Sequence, residues 1–186
     1  MRAPLSAEDL DAYVRALAVE LPGFALCFKD ESPLQRLIAR VVHPFNPTYL
    51  TEYTTVMFGR IYLPSRGFLD EMSRESLYGL LRHEAVHLRD ARRFPVFFQL
   101  SYLLLPPVGP GFRAYWEWRG YRETLRAEYE VWGEVPDALL DRIADRFAGP
   151  DYLYMLPLRG WVRARLGRLR DEFQRPREPA AGRAAK

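Results

Sequence analysis

Hydrophobic and polar positions divide the chain into short periodic segments. Leu10, Tyr13, Val14, Leu17 and Leu21 recur at helical spacing behind Ser6, whose N-cap pattern is completed by Asp9, and Pro22-Gly23 ends that segment. Phe24, Leu26 and Phe28 alternate with Ala25, Cys27 and Lys29, which predicts a strand with one apolar face. Ser32-Pro33 opens a second amphipathic helix through Leu34, Leu37, Ile38 and Val41. After a loop at Asn46-Pro47, the stretch Thr54 to Leu63 is rich in β-branched and aromatic residues, with Gly59 breaking the alternation. It predicts one bulged strand or a tight pair of strands, largely buried. Pro64-Ser65-Arg66-Gly67 reads as a turn, and Ser73 as the cap of a long helix reaching about Arg93, with Leu77, Leu81, Ala85 and Leu88 facing the core.

The second half is more helical. An apolar, proline-rich insertion spans roughly 94–111, and Arg113 to Val131 then runs as a helix with no breaker but Gly120. Pro136-Asp137 opens a further amphipathic helix with Leu139, Leu140, Ile143 and Phe147 inside, stopped by Gly149-Pro150. A last helix, about 158–173, sets Trp161, Val162, Leu166 and Leu169 against many arginines. The pattern predicts an α+β domain dominated by helices, with a small sheet preceding the Ser73 helix. One domain over 1–174 and a disordered tail over 175–186 follow from the length and from the Pro- and Ala-rich C-terminus.

Composition narrows the function more than the fold. The single cysteine, Cys27, excludes an intramolecular disulfide and a Cys-rich zinc site, and its place on the first strand predicts a buried, inert thiol. The net charge of +3 is modest, and nearly all cations are arginine, Lys29 and Lys186 being the two lysines. This is compositional bias, and no nucleic-acid partner is read from it. The first twenty residues carry Glu8, Asp9, Asp11 and Glu20 and no apolar core of a signal. The longest apolar stretch, 94–108, is cut by Pro95, Pro106 and Pro107, short of the about 20 residues a spanning helix needs. A cytoplasmic location is therefore expected.

Chemistry concentrates in one place. Two of the three histidines, His83 and His87, lie four residues apart on the long helix, so both imidazoles project from one face and can hold one metal ion. Zinc suits such a pair, and a water in an open coordination position would have its pKa lowered towards about 7. Glu84, about 100° around the helix from His83, can reach that water as a general base without being a ligand. The plainer alternative is a surface His/Glu helix face with no metal.

Through His83-Glu84-Ala85-Val86-His87 the chain resembles the zincin superfamily of metallopeptidases. The resemblance covers this motif, the strand region Thr54–Leu63 and the following helix. It implies two histidine ligands to zinc, Glu84 as general base, a strand ahead of the helix that aligns the substrate backbone, and a peptide or protein substrate. Metzincins continue with a glycine and a third histidine or aspartate, where this chain has Asp90 and Arg93. The gluzincin pattern, with a glutamate from a later helix, is matched instead by Trp116-Glu117-Trp118-Arg119-Gly120-Tyr121, in which Gly120 permits close helix approach. Glu117 is accordingly the expected third ligand, with Glu123 and Glu128 on the same helix as alternatives. Tyr121, one turn from Glu117, is a candidate donor to the oxyanion of a tetrahedral intermediate, or else a core tyrosine.

Other residues carry weaker expectations. His43 reads as an incidental loop histidine, and Asp90 as the partner of Arg89 or Arg93 in a surface salt bridge, with support of a metal ligand as its alternative. The insertion is expected to pack mainly over the domain's own core, with peripheral membrane contact through 94–108 as the alternative. The expectation as a whole is a zinc-dependent metallohydrolase of peptide type. Its competitor is a catalytically inactive, metal-stabilised binding protein of the same fold.

Overall fold

The computed structural model describes residues 5–44, 46–103, 110–149 and 154–175. The elements run α1 (Ala7–Glu20), β1 (Leu26–Phe28), α2 (Pro33–Val42), β2 (Thr55–Met57), β3 (Arg60–Leu63), α3 (Arg66–Asp70), α4 (Arg74–Arg93), α5 (Pro95–Leu103), α6 (Pro110–Trp132), α7 (Asp137–Ala148) and α8 (Arg159–Gln174). This is a helix-dominated α+β fold with one small mixed sheet. Helix starts follow local chemistry. The Ser6 side chain accepts from the Asp9 amide while Asp9 accepts from the Ser6 amide, which closes a capping box at α1. Ser32, Ser65 and Ser73 cap α2, α3 and α4 in the same way, each accepting from a backbone amide three residues on.

The sheet has strand order β1-β3-β2. β1 runs parallel to β3, with Cys27 opposite Tyr62, and β2 runs antiparallel to it, with Val56 opposite Ile61. β2 and β3 form a tight hairpin through Phe58 and Gly59, whose φ values of 52° and 76° are those of a two-residue turn matched to strand twist. β2 is therefore an edge strand, and it also packs against α4.

Two apolar cores lie on either side of the α4–α6 pair. In one, Leu17 and Leu21 of α1 and Ile61 and Leu63 of β3 pack with Leu81, Ala85 and Leu88 of α4. In the other, Tyr121 and Leu125 of α6 pack with Leu140, Ile143 and Phe147 of α7 and Val162 and Leu166 of α8. The contact between α4 and α6 is the most extensive between any two elements, so residues facing across it sit between both cores.

Several expectations are corrected. The Pro64–Gly67 turn continues into the short helix α3, because Ser65 caps it. The insertion contains a nine-residue helix, α5, since Pro95 sits at its first position, where a missing amide costs nothing. Lys29, assigned to the polar face of the first strand, is completely buried beyond the end of β1. Cys27 is half-buried rather than buried. Trp161 is half exposed, while Val162 and Leu166 fill the core beside it. α2 is turned over relative to its pattern: Gln35 is buried, whereas Leu34, Leu37 and Val41 are exposed. The Tyr49 hydroxyl donates to Gln35 Oε1 at 2.6 Å, which satisfies the buried amide and holds the helix in that orientation. The tail beyond Arg175 lies outside the described residues.

Candidate metal centre

α4 and α6 place three ligating side chains in one buried cluster. His83, His87 and Glu117 each offer a donor atom, and these atoms all lie within 4.8 Å of one another. The Nε2 atoms of His83 and His87 are 3.0 Å apart, and Glu117 Oε2 lies 3.5 Å from His83 Nε2. Metal–ligand bonds of about 2.0–2.1 Å in a tetrahedron set donors roughly 3.3 Å apart, which the 3.0 and 3.5 Å separations about His83 Nε2 bracket. Imidazole and carboxylate are also the ligand types zinc takes in open, three-residue sites.

The residues around the cluster orient it. His83 Nδ1 lies 3.1 Å from Thr124 Oγ1, and that hydroxyl donates to the Gly120 carbonyl at 3.3 Å. The Thr124 oxygen thus has a lone pair for an Nδ1 proton, which leaves Nε2 as the free ligand atom. Gly120 makes this arrangement sterically feasible, because a Cβ built there would stand 2.6 Å from the Cε1 and Nε2 atoms of His83. The His87 ring packs against His83 at a centroid distance of 4.8 Å and against Phe98 of α5 at 6.0 Å.

Burial and mutual proximity perturb the titration of His83, Glu84 and His87. Burial disfavours the charged form of His83, but the carboxylates of Glu117 and Glu84 together outweigh burial and raise the pKa. His87 is pushed down to about 3 by burial and by its neighbour His83, so it is a neutral imidazole at physiological pH. Burial lifts Glu84 to about 7, against the attraction of His83. Lys29, lowered to about 7 by burial, is drawn the other way by Glu84, and its ammonium donates to the Tyr49 carbonyl at 2.7 Å.

The cluster opens onto a cavity of about 390 Å³. Glu84 lines it with the three ligating residues, and Tyr121 and Thr124 of α6 share the wall. Glu52, Tyr53 and Thr54, which lead into edge strand β2, also line it, as do Arg142 and Arg146 of α7.

The structure thus brings His83, Glu84, His87, Glu117 and Tyr121 to one place. The alternatives for the third ligand lie elsewhere: Glu123 is held by Arg82 and Arg126, and the half-buried Glu128 sits within the field of Arg142. Tyr121 lines the cavity, its hydroxyl accepts from Arg146 at 3.4 Å, and its ring packs against His83. Asp90 is corrected: it is buried and bound by both Nε and Nη2 of Arg119, at 2.9 and 2.8 Å, rather than paired at the surface with Arg89 or Arg93. His43 is the exposed C-cap of α2 and does not line the cavity.

No family model matches the chain, and no curated protein or solved structure matches it either.

Sequence reasoning missed Thr124, Lys29, Arg142 and Arg146. Thr124 had a legible signal, since it stands seven residues after Glu117 and four after Gly120 on one helix face. Arg142 and Arg146 had none, because an arginine at the edge of an amphipathic stripe reads as solvated.

Proposed function

We propose that the protein is a zinc-dependent hydrolase of peptide bonds, similar to the gluzincin branch of the zincins in its ligand set. The observation that carries this reading is the convergence of His83, His87 and Glu117 within 4.8 Å, on the wall of a cavity that Glu84 also lines. A structural metal site would be enclosed, whereas this one faces a space large enough for part of a peptide.

Zinc held by these three side chains would supply a Lewis acid and a water that ionises near neutral pH. Glu84 takes the proton of the attacking water and returns it to the leaving amine. Thr124 fixes the His83 ring, so that its Nε2 stays directed at the cluster. Tyr121, a lining residue whose hydroxyl accepts from Arg146, would donate its O–H to the carbonyl oxygen on which negative charge develops. An extended peptide could pair along the outer edge of β2, whose lead-in residues Glu52 to Thr54 line the cavity that holds the cluster. The peptide substrate rests on the zincin resemblance and on this edge strand.

The test is Glu84→Gln, purified beside the wild type and measured against a set of unstructured peptides by mass spectrometry. The expected result is cleavage by the wild type and a loss of at least about 100-fold in the variant, with equal zinc content in both. Equal cleavage by the two proteins contradicts the assignment of Glu84. A zinc-loaded wild type that cleaves no peptide favours a metal-stabilised binding protein.

A further inference from the structure

We propose that the start of α5 and the start of α6 together form a docking surface for an anionic membrane. Phe94, Val96 and Phe97 at one helix start, and Phe112 and Tyr115 at the other, are all at least 41 % exposed. They form one patch. Phe97 meets Phe112 edge-on at 5.3 Å, and Phe94 and Tyr115 flank the buried ring of Trp116 at 6.2 and 4.9 Å. Trp116 is anchored from below, its indole N–H donating to Ser101 Oγ at 3.0 Å. A contiguous aromatic patch on a rigid base is an interaction surface rather than a scatter of single apolar residues.

Charge selects the occupant. From Phe94 to Phe112 the sequence holds no charged residue, and arginines stand at both borders, Arg92 and Arg93 before it and Arg113 after it. Arg92 and Arg93 are exposed in the last turn of α4. The nearby carboxylates are already engaged, Glu20 by Arg89 and Asp90 by Arg119. Aromatic rings bordered by arginine fit the headgroup boundary of an anionic bilayer, where rings enter the interface and guanidinium groups meet lipid phosphate. The contact is peripheral. Among the described residues no helix is long and apolar enough to cross a membrane, and the nine residues of α5 span about 14 Å of the roughly 30 Å required. This inference stands on the patch alone and does not depend on the hydrolase reading.

The experiment is co-sedimentation of the full chain with vesicles of phosphatidylcholine alone or mixed with phosphatidylglycerol. Wild type is expected to bind the mixed vesicles and to be released by high salt. Phe97→Ser with Phe112→Ser should weaken that binding about tenfold or more. Arg92→Glu with Arg93→Glu should abolish the preference for phosphatidylglycerol. Circular dichroism establishes that each variant is folded, and should the ring variant misfold, the charge variant decides alone. Wild type that stays in the supernatant, or folded variants that bind as it does, would overturn the proposal. So would a patch-dependent dimer in vesicle-free sedimentation, since a second copy would then cover the rings.

Discussion

Gly120 shows how one residue sets the site. It costs about 1 kcal/mol in helix propensity relative to alanine, yet a methyl group there would collide with the His83 imidazole at 2.6 Å. Gly120→Ala is therefore expected to destabilise the metal-free protein by about 1–3 kcal/mol, net of the gain in propensity, and to weaken zinc binding. Denaturant unfolding and zinc titration check both, and a stabilised variant with unchanged zinc affinity would contradict the close approach. The motif His83-Glu84-Ala85-Val86-His87 and the glycine beside Glu117 were legible because helical spacing alone puts these residues on shared faces. Lys29 was not, because its burial depends on Tyr49 and Glu84, which lie 20 and 55 positions away in the chain. Its pKa of about 7 in the folded protein, against 10.5 when unperturbed, means that the unfolded chain alone holds the proton between those values. Stability attributable to Lys29 should thus rise as pH increases from about 7 towards 10 and be lowest below 7. Comparing Lys29→Met with wild type across this range tests it: the advantage of the variant should shrink with rising pH, and a constant difference would refute the shift.

Elements were easier to find than to orient. Serine caps and apolar stripes marked α1, α2, α4, α7 and α8 correctly, yet α2 presents its apolar face outward because Gln35 is held inside by Tyr49. Periodicity reports that a face exists and leaves open which neighbour covers it. α5 was hidden by the prolines of the insertion, of which only Pro95 lies in the helix, at a tolerated first-turn position. The α4–α6 pair is the element that matters for chemistry, since it carries every ligating residue, and Asp90 with Arg119 ties it together one turn below His87. Removing the buried carboxylate in Asp90→Ala leaves Arg119, itself partly exposed, without its partner. A loss of about 2–3 kcal/mol in denaturant unfolding is expected, below the range for a fully buried pair. A change under 0.5 kcal/mol, the scale of an ordinary surface substitution, would show that the clamp is not structural.

At the scale of the molecule, two apolar cores leave a polar seam between them, and His83, Glu84, His87 and Glu117 are buried there together. Burying two imidazoles, Glu84 and Glu117 together is unfavourable unless they share a cation or exchange protons. The seam was only partly legible in sequence. The histidines announced it, but the contribution of α7 and the turn of the chain through residues 52–54 depend on how the sheet and helices pack. The proposed cation would account for the four polar side chains and for the glycine between the helices at once. The most direct measurement is zinc content by elemental analysis of untagged, chelator-free protein, wild type against Glu117→Ala. The account predicts about one zinc per wild-type chain and a clear loss in the variant. A wild type that holds no zinc even after reconstitution, or a variant that keeps the full amount, would contradict it.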